Sequence, residues 1–513
     1  MVMFLIRRLL ASTMVVLVST FIMYLLVDIA LDPLESLRLS TDPNVEAQRA
    51  ARVAMLNLET PVILRYFDWL GGVTGCLWGS CNLGVAWTTS QPVTGLLAGV
   101  VATTLQLVTA ATFIGMFFGI AVGIISALRQ YTGFDYSVTF MSFLFYSLPV
   151  FWVAVLLKQW GAIKFNNFLR NPDFPVWFYV LMVFTVSVVA MGMVGGDWIT
   201  RVKVLGVSSL GTLGVLLYMD LTKWLIDPSM GIVVLALIAV GWAFLVTMLS
   251  TGLRDRRSLG GALTVAGVGV ALYYPMFYVW VWLPVSWPLV IALGVLAVLV
   301  GLLIGRLWGG PDPWRTARTA ALTAIPVSSL LFFERLFMTW ETYTTHSLIR
   351  GRPIATFGRR TPNLEGSFWL ETTDLFTHLL LPTITLVLIG YASYTRYTRA
   401  STLEVLNQDY IRTARAKGLT ERTVVMRHAF RNALIPLASI APVDVITILG
   451  GAVITERIFA WYGMGRMFLD HLAANDIAPV MAYILIAAIF AVVANFVADL
   501  CYSILDPRIR LNA

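Results

Sequence analysis

Charge is what this chain has least of. Only 12% of its 513 residues are Asp, Glu, Lys or Arg, about half the share that a soluble globular domain carries. That scarcity excludes an ordinary water-soluble fold. Lysine is scarcer still, at positions 158, 164, 203, 223 and 417, and none of the five sits in a Gly-rich loop ahead of Ser or Thr. A Walker-type phosphate loop is therefore missing, and with it any nucleotide chemistry of the P-loop kind. The three cysteines and four histidines show no spacing suited to zinc. We assign no metal site, no bound cofactor and no catalytic residue. The apolar runs are continuous rather than alternating, which argues against a transmembrane barrel. No aromatic residues interleave with the basic ones for base stacking, so nucleic acid is not an expected partner.

What is present is apolar length. Hydrophobic residues make up 58% of the chain and the mean hydropathy is +0.80, in repeated runs near the roughly 20 residues that cross a bilayer as helix. The fold class is all-α and polytopic. The first run, "FLIRRLLASTMVVLVSTFIMYLLVDIA", has Arg7 and Arg8 ahead of about twenty apolar residues and offers no clear cleavage site, so we read a retained helix in preference to a signal peptide. Further runs fall at 100–128, at 136–157 with a kink at Pro149, and at 375–397, 434–455 and 479–505. Between them lie six more, at 176–195, 204–220, 231–250, 262–283, 288–308 and 317–333. The expected total is twelve spans.

The cations test this arrangement. Alternating the runs puts Arg201 and Lys203, then Arg254, Arg256 and Arg257, then Arg306, Arg315 and Arg318 on the side of Arg7 and Arg8, and leaves only Lys223 opposite. Arg129, Arg396, Arg399, Arg508 and Arg510 join the same side, the asymmetry expected of cytoplasmic loops. Both termini are then cytoplasmic, and 28–97 and 334–374 are external. Six being even, the block at 161–333 can be inserted without inverting what flanks it. The second external segment suits a surface that meets another protein, or equally a solvated loop with interfacial Trp anchors. In the first, Cys76 and Cys81 flank "LWGS", where a disulfide is our preferred reading over free thiols.

One passage breaks the apolar pattern: "DYIRTARAKGLTERTVVMRHAFRNALIP", from Asp409 to Pro436. Its Ala and long straight side chains favour helix up to Gly418, which can end a helix at positive φ. Thr420 is a candidate N-cap for a second helix, with Val424, Val425 and Phe430 on an apolar face. Two short helices joined at a glycine make a knob fit for a groove in a partner. Within the membrane runs, Asp444, Asn495 and Asp499 are costly polar groups and default to functional candidates. Asp444 is assigned to the substrate pathway or to a partner on a neighbouring helix, Asn495 to the pathway, and Glu456 to an outer gate. Asp499 is expected to pair with an arginine near the cytoplasmic end.

The passage "LEVLNQDYIRTARAKGLTERTVVMRHAFRNALIPL" resembles the cytoplasmic coupling loop of ABC importer permeases of the dipeptide/oligopeptide/nickel family. The general permease motif begins Glu-Ala-Ala with a glycine four residues after the second alanine. Here those positions read Arg412, Thr413, Ala414 and Gly418, the first two departing in the manner of this family's own variant. "RRLL", "PVFWVAVLL", "LGGAVITERIFAWYGMGR" and "DPRIR" agree with it as well. The resemblance covers 1–160 and 370–513 but not the six-run block. It implies a six-helix permease core in two parts, 1–160 and 375–513, with a coupling loop at 398–433. It further implies two separate ATP-binding subunits that hold ATP and Mg, a homologous second permease, more typically in a heterodimer than a homodimer, and an extracytoplasmic substrate-binding protein. The setting implied is a bacterial or archaeal cytoplasmic membrane. In that frame Arg412, Thr413, Ala414, Arg415, Lys417, Gly418, Leu419, Val424, Val425 and Arg427 form the contact with the ATPase, Val424 and Val425 by packing and Arg415, Lys417 and Arg427 by ion pairs. A secondary transporter of twelve helices is the alternative; it would show an internal repeat, which the halves do not, and would leave the basic passage without a role.

Overall fold

The computed structural model describes residues 2–310 and 312–505. Arg508 and Arg510 lie outside them. The described chain is helical apart from one small hairpin, in keeping with an all-α polytopic membrane protein. α1 (Val2–Ala30) is followed by an ordered segment holding α2 (Glu35–Arg38), α3 (Val45–Leu56), α4 (Val62–Gly75) and the antiparallel pair β1 (Val85–Ala86) and β2 (Gln91–Pro92). Then come α5 (Val93–Leu128), α6 (Gly133–Ser147), α7 (Val150–Leu156) and, beyond a π-helical stretch at Leu157–Lys164, α8 (Phe165–Leu169). The block read from sequence as an insertion supplies α9 (Val176–Val194), α10 (Trp198–Leu221), α11 (Gly231–Ser250), α12 (Arg256–Ala271), α13 (Tyr273–Trp282), α14 (Trp287–Leu307) and α15 (Pro313–Met338). The chain finishes with α16 (Trp340–Thr345), α17 (Phe368–Leu406), α18 (Asp409–Ala416), α19 (Glu421–Thr423), α20 (Phe430–Ile458), α21 (Met464–Ala473) and α22 (Ile477–Leu505).

Nine helices among the described residues are long and apolar enough to cross a bilayer, and two bent pairs raise this to eleven. One pair is α6 with the helix from Val150 to Leu169, turned by 101° at Leu148–Pro149; the other is α12 with α13, bent by 51°. The expected kink at Pro149 is thus a sharp corner. Proline lacks the N–H that would continue the ladder and pushes the preceding residue out of the helical region. The run expected at 434–455 forms α20, which carries Pro436 and Pro442 internally.

Several helices extend well beyond the expected ends. α5 starts at Val93 rather than 100, α10 at Trp198 rather than 204, and α17 spans Phe368–Leu406 rather than 375–397. Arg201 and Lys203 therefore sit on the first turns of α10 and not in a loop. Likewise α15 continues to Met338 and α16 to Thr345, so the second loop proper is 346–367. Apolar windows stop at the first charge, whereas a helix persists beyond the roughly 30 Å hydrocarbon layer; at 36 residues α5 is about 54 Å long.

The core is organised about α5 and α17. Gly115, Gly119 and Gly123 form a stripe at helical spacing on α5, and α17 lies directly on it. A Cβ at Gly119 would stand 2.5 Å from Cβ of Tyr394, and one at Gly123 would stand 2.7 Å from Cβ of Thr398. The side-chain-free stripe lets the two backbones approach closely, the usual device for packing helices where lipid offers no hydrophobic drive.

Ion pairs define two ends. At one, Arg8 of α1 pairs with Asp499 of α22, as expected for Asp499. At the same end Asp135 of α6 meets Arg399 of α17. The knob following α17 lies here too, and in the block Arg306 stacks on Trp314 and Arg315 faces Asp255. At the other end the loops knit together. Thr88 donates its N–H and hydroxyl to Asp476, at 3.3 and 2.9 Å, and Arg359 donates to Thr103 and Gln106 at 3.2 and 3.1 Å. Cys76 and Cys81 are joined as a disulfide.

The block touches the core through few elements. Trp280, Leu336 and Trp369 form a small apolar cluster between α13, α15 and α17. Glu334 of α15 is buried, accepting from the N–H groups of Met230 and Gly231 and from the Tyr273 hydroxyl at 2.9, 3.1 and 2.8 Å. That carboxylate pins α11 and α13 to α15 at the end where α15 meets α17.

Candidate functional site: the knob between α17 and α20

The basic passage folds as two short helices at a glycine corner. Asp409, on the first turn of α18, suits the positive end of its dipole. The helix ends at Ala416 with Lys417 as its cap, and Gly418 follows with φ +73°. A Cβ there would meet no atom within 4 Å, so the demand for glycine is conformational rather than steric. Thr420 then starts the second helix, its hydroxyl accepting from the N–H of Thr423 at 3.4 Å. After α19 the chain passes through a π-helical stretch, Val424–Ala429, into α20.

An ion pair spans the corner. Arg415 donates from Nε and Nη2 to the two carboxylate oxygens of Glu421, at 3.1 and 2.6 Å. The bidentate bond to Arg415 holds the Glu421 carboxyl below its usual range, and the same bond raises the Arg415 guanidinium. Glu421 was not singled out from sequence, although its place three residues past Gly418 would let an arginine three residues before that glycine reach it.

The apolar side of the knob turns inward. Ile411, Ala414, Val424 and Ala429 are buried together, with Val405 and Leu406 of α17 against them. Val424 is fully buried and Val425 6% exposed, which corrects the expectation that these valines form an outward packing surface. Helix α17 continues to Leu406 and offers them a wall, so the two-helix unit fills its own core. Leu419, Met426 and Tyr410 are exposed instead, at 40%, 51% and 43%. Arg412, Thr413, Arg415 and Lys417 are also exposed, Arg412 within 3.7 Å of Asp409. The Arg427 side chain lies outside the described residues. The loop is also shorter than 398–433, since 398–406 belongs to α17.

The knob is clamped to the bundle at its root. Asp135, 2% exposed, accepts from Arg399 Nε and Nη2 at 2.6 and 2.9 Å, from Ser126 at 2.5 Å and from the Tyr131 N–H at 3.1 Å. The Ser401 hydroxyl donates to the Ala433 carbonyl at 2.9 Å. These bonds join the root of the knob to α17, α6 and α5 together. Asp135 was missed from sequence because nothing in "YTGFDYSV" points to a partner 264 residues away.

The three residues assigned to a pathway or gate do not come together. Asp444 is half-buried on α20. Glu456 lies twelve residues further along α20, about 18 Å away. It is buried at the far end, accepting from Thr104 at 2.6 Å and from the Arg466 N–H at 3.0 Å. The Thr104 hydroxyl in turn accepts from the Met464 N–H at 2.7 Å, so Glu456 ties α5, α20 and α21. Asn495 is exposed on α22.

A helical membrane bundle with a self-contained, cation-faced knob at one end and ordered loops at the other is the architecture of a transport permease. The family described as "Binding-protein-dependent transport system inner membrane component" matches residues 266–511, and its N-terminal counterpart, "Binding-prot-dependent transport system membrane comp, N-term", matches residues 1–108. The chain is 34% identical over 238 residues to the oligopeptide transport system permease protein OppB of Mycobacterium tuberculosis (strain ATCC 25618 / H37Rv), covering 44% of this chain and 70% of that protein. It is 46% identical over 137 residues to the oligopeptide transport system permease protein AppB of Bacillus subtilis (strain 168), covering 27% and 43%, and 45% identical over 137 residues to the dipeptide transport system permease protein DppB of Escherichia coli (strain K12), covering 27% and 40%. The chain thus spans less than half the length of two of these relatives. It belongs to the family of binding-protein-dependent transport system inner membrane components. The matched interval from 266 includes α13, α14 and α15, so it reaches further back than the resemblance beginning at 370; 109–265 fall in neither interval.

Proposed function

We propose that this protein is a permease subunit of an ATP-driven importer of peptides or related small solutes, levered by a separate ATPase that grips the knob around Gly418. The observation that carries this reading is the knob itself: its apolar residues fill its own core, while its outer face shows Arg412, Lys417, Leu419 and Met426. Such a face suits a cleft that is apolar at its base and acidic at its rim. Closure of the ATPase on ATP and Mg would push the knob, and the Asp135–Arg399 clamp would pass that motion to α5 and α17, biasing the bundle between inward- and outward-facing states. The chain supplies half of a pathway, and a second permease, more typically a different chain, supplies the other half. A substrate-binding protein docks at the opposite end, on 28–97 and 346–367. Both termini lie in the cytoplasm. The inserted helices α9–α15 shield core surface from lipid.

Co-purification tests this. Tagged protein in mild detergent should bring down an ATPase, and Gly418→Pro should abolish both that association and uptake. An intact complex without any ATPase, or unchanged uptake in the variant, would overturn the reading. Removal of 176–333 should leave uptake measurable.

A further inference from the structure

At the end opposite the knob, the π-helical stretch before α8, α8 itself, the 348–362 loop and His378 of α17 line a half-open cavity of about 780 Å³. Five of its lining residues are cationic, Lys158, Arg170, Arg350, Arg352 and Arg360, and none is acidic. In a chain with so few charges this concentration is far from random.

The cations are largely uncommitted. Among the described residues, Arg170, Arg350 and Arg352 pair with no carboxylate, and Arg360 stands 3.7 Å from Glu371. Lys158 donates to the Ile458 carbonyl at 3.0 Å, which leaves its charge unneutralised. The nearest buried acid, Asp374, is turned to other work: it accepts from the Thr361 N–H and hydroxyl at 2.8 and 2.6 Å and from the Tyr343 hydroxyl at 3.0 Å.

The wall is also built rather than loose. Asn166, 3% exposed, clamps the loop by donating to the Ile354 carbonyl at 2.8 Å and accepting from its N–H at 3.0 Å. The backbone that carries Arg350 and Arg352 is thereby anchored to α8. The side chains of Arg170, Arg350, Arg352 and Arg360 are exposed on that anchored backbone, and guanidinium groups suit planar oxyanions, which they bind bidentately. The volume suits a small molecule rather than a single ion.

We propose that this cavity binds the carboxylate groups of an anionic solute. That the solute arrives there on its way to import rests on the importer reading; the binding itself does not. The test uses the full chain in nanodiscs of phosphatidylcholine, titrated calorimetrically with citrate as a tricarboxylate probe. Saturable binding is expected, weakened about tenfold or more in the double variant Arg350→Glu/Arg352→Glu and weakened less in Arg350→Lys/Arg352→Lys, which keeps the charge but loses the bidentate fork, with binding falling as salt rises. No saturable heat in the unmodified protein, or equal affinity in the charge-reversed variant, would overturn the proposal. Retention of phosphatidylglycerol by the unmodified protein and not by the charge-reversed variant, with no citrate binding, would reassign the site to a lipid headgroup and likewise overturn it. Association with an ATPase is a separate readout, so failure here leaves the importer reading standing.

Discussion

Arg415 and Glu421 face each other across the Gly418 corner, joined by two hydrogen bonds of 2.6 and 3.1 Å. The pair closes the knob from outside, as Ile411, Ala414 and Val424 close it from within. Both partners are exposed, so it adds under about 1 kcal/mol to stability. Its value lies in fixing the angle between α18 and α19. The charge exchange Arg415→Glu/Glu421→Arg should therefore recover most of the ATPase association lost in either single variant, as read by co-purification. If the double variant is no better than the singles, the pair does not set the angle.

The same pair sets a pH dependence. Glu421 has its pKa lowered by Arg415, so its contribution is present above the unfolded-state value of 4.5 and disappears as pH falls through the lower folded value. Amide exchange in 409–423 should be flat from neutral pH down to that region and then quicken, once corrected for intrinsic rates. In Glu421→Gln the acid-side step should vanish.

Gly418 separates strain from sterics. Its φ of +73° and the open space around a Cβ predict a mild effect for Gly418→Ala, about 1–2 kcal/mol confined to the knob. Gly418→Pro cannot adopt this φ and also loses the N–H that donates to the Arg415 carbonyl at 2.9 Å. Uptake should fall modestly in the first and vanish in the second, with membrane insertion unchanged in both.

The clamp at the root of the knob should behave as a buried pair. Asp135→Ala leaves Arg399 without its partner in a largely enclosed site and should cost about 3–5 kcal/mol. Replacing both residues with apolar ones of similar size should cost far less in thermal stability yet still uncouple ATP hydrolysis from uptake. Stability and coupling lost in equal measure would mean that the clamp only holds the fold.

At the α5–α17 contact, Gly119→Ala places a methyl 2.5 Å from Cβ of Tyr394, forcing the helices apart at a cost of about 1–3 kcal/mol. Gly99→Ala, on the same helix with nothing within 4 Å, is the control and should be neutral in a thermal melt.

Much of this was legible in the sequence, because bilayer length and cation placement are local signals. Arg129 and Arg254 each mark their own loop, and "ARAKGLT" spells out a helix, a positive-φ glycine and a cap within seven residues. The stripe Gly115, Gly119, Gly123 was equally open to reading at its four-residue spacing and was passed over. What stayed hidden depends on distant pairing. Nothing near Asp135 names Arg399, nothing near Glu456 names Thr104, and Val424 looks the same whether its wall is a partner protein or α17. Helix ends were misplaced wherever, as at Arg201 and Lys203, a helix carries its charges past the membrane surface.

The most direct test of the central claim is a cross-linking map of the knob in the membrane. Single cysteines at Leu419 and Met426, both exposed, should cross-link to an ATPase subunit in inverted vesicles and be shielded from a membrane-impermeant maleimide while that subunit is bound. Labelling of those cysteines from the external face of intact cells, or equal labelling with and without the ATPase, would contradict the account.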